Sequence, residues 1–308
     1  SVPFPANSTP LFDNNSTVKE VQDVGKFEVD ANGKVTFTPD KQFKGETPEL
    51  ELTRTDANGT PVTVKYQAVV KEVVPRGTNA TSTGPQGVPQ TGSPSFQGGD
   101  PLVPIDMDSP MTFEDGQPKK TVQGVGEYTI NSDGTITFTP DKQYVGTPAS
   151  VTVKRVDKNG TEVTATYTPT VTRVTPTSTN AESTGLQGQP QSGKPTFSPG
   201  DQAVPIDMTK PMTFENGTDT LVVANQGTYT INSDGSITFT PDKQFTGKAT
   251  PVRVKRVDAN GTEITATYTP TVTKVTPIST NATSTGPQGV PQTGIPTFAG
   301  GDPLVPID

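Results

Sequence analysis

An all-β fold is the class this 308-residue sequence predicts: three tandem β-sandwich-like domains forming an extended rod. Three observations point there. The string Val-Pro-Ile-Asp recurs at Val103–Asp106, Val204–Asp207 and Val305–Asp308, an offset of 101 residues both times, and no insertion breaks that register elsewhere. Apolar residues alternate with threonine on both sides of Asp-Gly and Asn-Gly pairs, the pattern of half-buried strands joined by tight turns. Pro (32) and Gly (30) together make about a fifth of the chain, which leaves little room for long helices, because proline removes a backbone donor and glycine costs backbone entropy.

The repeat is too long for a solenoid rung or a propeller blade and is domain-sized, so the chain reads as a string of domains. Closed on Val-Pro-Ile-Asp, the copies span 1–106 (with an atypical start), 107–207 and 208–308. Within the second copy, Tyr128-Thr129-Ile130 leads through Asn131-Ser132-Asp133-Gly134 into Thr135-Ile136-Thr137-Phe138-Thr139, the first hairpin. Phe27, Val29, Val35 and Phe37 flank Asn32-Gly33 in the first copy, and Tyr229, Ile231, Ile237 and Phe239 flank Asp234-Gly235 in the third. A second hairpin follows: Val151, Val153 and Val156 approach Asp157-Lys158-Asn159-Gly160, and Val163, Ala165 and Tyr167 leave it. The candidate structural residues are therefore the turn glycines Gly33, Gly134, Gly235, Gly59, Gly160 and Gly261, where an Asn-Gly or Asp-Gly pair tolerates the positive φ that such a turn requires. Val171 and Val174 extend a further strand-like run that ends at Pro176, and Pro39, Pro140 and Pro241 fall just after strands, where a missing N–H does least harm.

The least regular stretch, Pro75 to Pro104, holds six Pro and six Gly in thirty residues. It reads either as a linker or as an irregular edge segment on the next sheet. The recurrence of Phe96, Phe197 and Phe298, each followed by a Val/Ile pair, favours docking of its later half. Folded boundaries would then lie near 80, 181 and 280, leaving the first copy short of its opening strand.

The composition excludes much chemistry. With no histidine and no cysteine there is no zinc finger, haem or iron–sulfur ligation, no Ser-His-Asp triad and no disulfide. A net charge of −8 argues against a nucleic-acid partner, no apolar run reaches the length of a membrane span, and no signal peptide opens the chain. The acids that recur, Asp40/Asp141/Asp242 and Asp100/Asp201/Asp302, sit beside Pro or Gly, where such side chains bond backbone at turns, so no catalytic, cofactor or metal residue is assigned and no enzyme is expected. Asp157-Lys158-Asn159-Gly160 lacks the spaced acidic ladder of a calcium loop. Val-Pro-Gln-Thr-Gly at 88–92 and 290–294 resembles a sortase signal but lacks a hydrophobic tail and basic residues after it. Sequons such as Asn58, Asn79, Asn260 and Asn281 are expected by chance in a chain rich in Asn and Thr. Lys154-Arg155 has Thr53-Arg54 as its counterpart, which argues against a Lys–Asn isopeptide in every copy. Tyr66, Tyr167 and Tyr268 read as core aromatics with the hydroxyl at the rim.

The blocks Ile-Asn-x-Asp-Gly-x-Ile-Thr-Phe-Thr-Pro-Asp, Val-Lys-Arg-Val-Asp-x-Asn-Gly-Thr and Thr-Ala-Thr-Tyr-Thr-Pro-Thr-Val-Thr, in that order in copies two and three, resemble the CshA-type fibril repeats of streptococcal cell-wall-anchored surface adhesins. The first copy departs at Ser1–Asn15 and at Pro61, where its siblings have Glu162 and Glu263. The resemblance implies an extracellular, cell-wall-anchored surface fibril whose repeats are structural and project an adhesive region away from the wall, with the anchor outside this chain. It implies neighbouring repeats as partners, and binding of host fibronectin or other microbes through a region outside this chain. The alternative is that each repeat weakly binds a host glycoprotein such as fibronectin, or a partner microbe, with avidity supplying strength.

Overall fold

The computed structural model describes residues 2–6 and 8–305. Among them every regular element is a strand and none is a helix. The fold divides into two units. One comprises residues 1–83, 90–139 and 147–170, the other 84–89, 140–146 and 171–308.

The second unit contains the third repeat, which shows the architecture most completely. One sheet runs in the order Ala181–Leu186, Glu263–Thr273, Val252–Val257, Thr213–Phe214, with Gly247–Lys248 also on the long strand. The other runs Gln191–Gly193, Ile237–Pro241, Gly227–Ile231, Thr220–Val223. The alternation along each strand turns one row inward: Tyr229, Ile237, Phe239, Val254 and Tyr268 are fully buried, whereas the intervening threonines face outward. Met212, Phe214, Val252, Ala266 and Val272 complete a single core between the two sheets, which makes a β-sandwich.

The second repeat has the same two sheets in the same order, with only an isolated bridge, Gly146 to Val171, where the third has the strand Gly247–Lys248. The first repeat has Leu11–Phe12, Leu50–Thr55, Pro61–Tyr66 in one sheet, Val18–Val21, Gly25–Val29, Val35–Pro39 in the other, and a separate pair of Gly45–Glu46 with Val69–Val70. An aromatic triad joins the two sheets in every copy. Phe27 stacks on Phe37 at 4.2 Å and meets the edge of Tyr66 at 6.2 Å, and Tyr128 does the same to Phe138 at 4.5 Å and Tyr167 at 6.2 Å. Tyr229 lies 4.5 Å from Phe239 and 6.1 Å from Tyr268. Such pairs contribute about 0.5–1.5 kcal/mol beyond their area burial.

The six glycines occupy the turns in left-handed backbone, with φ between +80° and +86°. Backbone hydrogen bonds identify the turn type. Asn131 N–H bonds Thr135 O at 2.8 Å and Gly134 N–H bonds Asn131 O at 3.0 Å, and only the glycine has positive φ. This is a three-residue loop, a type I turn closed by a glycine bulge. The acid that opens the second turn caps it. Asp157 Oδ1 accepts from Asn159 N–H at 2.9 Å and Thr161 N–H at 2.8 Å, and Asp258 does the same, so two loop amides are satisfied within the turn.

The Pro/Gly-rich segment is part of the sandwiches. Ala181–Leu186 pairs in parallel with Tyr268–Thr273, and Gln191–Gly193 pairs antiparallel with Ile237–Phe239. Gln90–Gly92 makes the second of these pairings with Ile136–Phe138. Gly193 lies so close over the Tyr268 ring that any Cβ there would overlap it, and Gly92 lies likewise over Tyr167. Neither glycine has positive φ, so space, not backbone conformation, demands it.

Replacing Gly193 by alanine is expected to destabilise the third repeat by about 1–3 kcal/mol, because the Tyr268 ring is backed by the core. Thermal unfolding of G193A followed by tyrosine fluorescence checks this, and an unchanged transition contradicts the close-approach account.

Candidate functional site: the repeat junction

The recurring acids lie in turns, as their Pro and Gly neighbours suggest. Asp100, Asp201 and Asp302 each accept the amide two residues on through Oδ1, at 2.8–2.9 Å. Asp40, Asp141 and Asp242 each present a backbone carbonyl to the amide three residues on. Among the described residues no cluster of three or more acidic ligands is arranged to hold a metal ion, and no helix is long and apolar enough to cross a membrane. Of the sequons, Asn79 uses its Oδ1 to accept from Thr166 N–H at 2.8 Å, and Asn260 is buried. Lys154 pairs with Glu162 at 3.5 Å, partly exposed.

A built polar site does exist, where the Thr-Pro-Asp-Lys-Gln loop of one repeat meets the Asp-x-Asn-Gly turn of the next. In the first unit, Gln42 Nε2 donates to Asn159 O at 2.5 Å. In the second unit, Gln143 Nε2 donates to Asn260 O at 2.6 Å and Lys142 Nζ to Ala259 O at 2.9 Å. The loop forms because Pro241 ends a strand and Phe245 N–H closes on Asp242 O at 2.9 Å, and the other copies do the same. That geometry carries the glutamine outward at a fixed place.

The second-unit contact is deeper. Asn260 Nδ2 donates to Gln86 O at 2.8 Å, and Asn260 Oδ1 lies where a Cβ on Gly87 would stand. Gln86 is held from several sides. Its N–H bonds Thr172 O at 2.8 Å, its Nε2 bonds Lys142 O at 2.9 Å, and its Oε1 accepts from Val174 N–H. Gln86 is 3% exposed and Asn260 7%, so these neutral bonds lie away from competing water. In the first unit Asn159 is only half-buried, beside an open cavity of about 300 Å³ lined by Asp40, Gln42, Phe43, Val70 and Thr161. Gln187 repeats the Gln86 brace, with Nε2 on Lys243 O at 3.0 Å and N–H on Thr273 O at 2.9 Å.

Apart from Lys142, the charged groups with shifted titration lie around this site. Lys158 is raised to about 12 by hydrogen bonds to Asp106 and then Asp108. Asp106 is lowered, chiefly by that bond to Lys158 and then by Ser109. Asp207 and Asp234 are lowered chiefly by the hydroxyls of Thr209 and Ser236. Burial raises the Tyr167, Tyr229 and Tyr268 hydroxyls.

The geometry can hold surfaces together. The family comparison bears on the same repeats. The sequence family described as the surface adhesin CshA repetitive domain matches residues 1–70, 72–171 and 173–272. The chain belongs to the CshA surface-adhesin repeat family. A solved structure of repeat domain 13 of the fibrillar adhesin CshA from Streptococcus gordonii is 71% identical over 24% of this chain and 94% of its own, with a TM-score of 0.15. Three extracellular domains of mouse cadherin-23 align over 84% of this chain and 85% of their own at 12% identity, with a TM-score of 0.33. No curated protein sequence matches this chain.

Sequence reasoning placed Asn260 among chance sequons and passed over Gln42, Gln86 and Gln143. The available signal was the repetition of an exposed Lys-Gln pair after Pro-Asp, since the turn itself needs neither residue.

Two outcomes follow from this geometry. Asn260→Ala leaves the buried Gln86 carbonyl without its donor and is expected to cost about 1–3 kcal/mol, with Asn159→Ala costing less than about 1 kcal/mol. Chemical denaturation of the two variants checks the difference, and equal losses contradict it. For pH, the lowered Asp106, Asp133, Asp207 and Asp234 stabilise the fold above their ordinary value of 3.8, and that stability is lost as pH falls through their folded values. The raised Lys158 and tyrosines stabilise it below their ordinary values of 10.5 and 10.0, and that stability is lost as pH rises through the folded ones. With no histidine, the melting temperature is expected to stay level from about pH 5.5 to 8.5 and to drop below about pH 4. Calorimetry across that range reads it directly.

Proposed function

We propose that this chain is a stretch of stalk in a bacterial surface fibril, holding an adhesive region away from the cell wall. The protein would be extracellular and anchored to the wall through sequence outside these 308 residues. The observation that carries the reading is the junction itself. The same glutamine of successive repeats grips the same turn of the next, Gln42 on Asn159 and Gln143 on Asn260. Hydrogen bonds at fixed positions suit a spacer whose job is reach. An acidic, threonine-rich surface suits a spacer too, because like charge keeps neighbouring fibrils apart. The domain frame that goes with this reading has boundaries near 80, 181 and 280, supported by the way Ala181–Gly193 adds to the third sandwich.

Small-angle scattering tests the reading. A compact domain of a hundred residues has a radius of gyration near 13 Å, so three joined end to end reach about 100 Å, with an overall radius of gyration near 30 Å. A single globule of this length would give about 19 Å, and that value refutes the stalk. Host fibronectin or partner cells passed over the immobilised chain are expected to give no saturable signal. Saturable binding would instead make each repeat a weak adhesive module acting by avidity.

A further inference from the structure

All four methionines of the chain line two matching surface cavities, one in the second repeat and one in the third. The cavity in the second repeat, about 150 Å³, has Phe96, Ile105, Met107, Met111 and Arg155 in its walls. Its counterpart, about 260 Å³, has Phe197, Ile206, Met208, Met212 and Arg256 at the same places in the repeat. The two methionines of each pair differ in burial. Met107 and Met208 are 71% and 72% exposed, whereas Met111 and Met212 are each 4% exposed. The first repeat has Ala6 and Pro10 at those positions and no thioether.

The turn between the paired methionines produces that division. Asp106 Oδ1 accepts from Asp108 N–H at 3.2 Å and its Oδ2 from Ser109 Oγ at 2.8 Å. Asp207 Oδ1 likewise accepts from Thr209 N–H at 3.0 Å and from Thr209 Oγ1 at 2.6 Å. On the far side of the turn, Arg155 Nη1 donates to Ser109 O at 2.9 Å and Arg256 Nη1 to Lys210 O at 3.3 Å. Held at both places, the turn leaves the first methionine at the rim and carries the second, just after Pro110 or Pro211, inward. Met212 belongs to the core that holds Phe214, Tyr229 and Phe239.

With no cysteine and no tryptophan in the chain, thioether sulfur is the group most readily oxidised by a peroxide. We propose that Met107 and Met208 are oxidation sites for hydroperoxides, each taking up one oxygen atom while the methionine behind it is spared and the sandwich stays folded. In the step, a sulfur lone pair attacks the terminal peroxide oxygen, an S–O bond forms and the O–O bond breaks. Sulfur is oxidised by two electrons to the sulfoxide. The departing oxygen takes the proton carried by the transferred one and leaves as water or, from an organic hydroperoxide, as an alcohol. A cavity of roughly 10–15 Å³ already admits a water, so both cavities have room for a small peroxide against the rim methionine. At the rim the new polar oxygen stands in solvent. At Met111 or Met212 it would stand in the core, where a sulfoxide disrupts packing.

Treating the full chain with excess hydrogen peroxide, and reading sulfoxide at each methionine over time by peptide mass mapping, tests this. Met107 and Met208 are expected to be oxidised at least about tenfold faster than Met111 and Met212. Chain carrying sulfoxide at those two positions is expected to keep its thermal transition within about 2 °C of the untreated chain. Met107→Leu together with Met208→Leu, at exposed positions, is expected to fold as before and to lose the fast oxygen uptake. Comparable rates at all four methionines, loss of the transition once the two rim methionines are oxidised, or fast uptake that persists in the double variant would each overturn the proposal.

Discussion

Each complete sandwich here depends on two edge strands that its own hairpins do not supply. The hairpins bring Tyr229, Ile237, Phe239, Val254 and Tyr268 together, yet the edges at Tyr268 and Phe239 stay open until Ala181–Leu186 and Gln191–Gly193 lie down on them. The fit is set by one ring. Tyr268 gives its face to Gly193, its hydroxyl to Ser183 and its edge to Tyr229. A segment with no apolar stripe of its own is thereby seated by one aromatic side chain and a few neutral hydrogen bonds.

The same segment builds the junction. After its strand turns away, Gln86 is braced on Thr172, Lys142 and Val174 and offers a carbonyl to Asn260. Edge completion and repeat-to-repeat contact are therefore one device, and a change at Gly87 or Gln86 acts on both. Charge has little part in it. Lys158 with Asp106, Lys65 with Glu49 and Lys44 with Glu72 all lie in water, where exposed pairs contribute little.

The hairpins were legible because their signals are local. Alternation around Asp133-Gly134 and Asn159-Gly160 fixed which residues face inward, and a tyrosine in mid-strand at 167 read correctly as core. The capping of the turns was less so, because the pattern does not show that Asp157 accepts two loop amides. The edge strands escaped pattern reading for a different reason. Asn180 to Gly193 has no alternation to detect, and its partners lie 44 to 88 positions away in sequence, as with Gly193 on Ile237 and Gln187 on Val275. The junction glutamines were hidden in the same way, since Gln143 acts on a residue 117 positions on. Family kinship came from whole blocks in order, which no single strand pattern conveys.

The parallel pairing of Ala181–Leu186 with Tyr268–Thr273 has a mechanical consequence. A pull along the chain enters this pair at Ala181, the upstream end of one strand, and leaves at Thr273, the downstream end of the other. In a parallel pair those two points lie at opposite ends of the ladder. Tension therefore slides the strands along each other and loads all the rungs from Ala181 to Leu186 together, where an antiparallel pair held at one end would peel open rung by rung. The strand that closes the sandwich is also the one that would bear the load in shear.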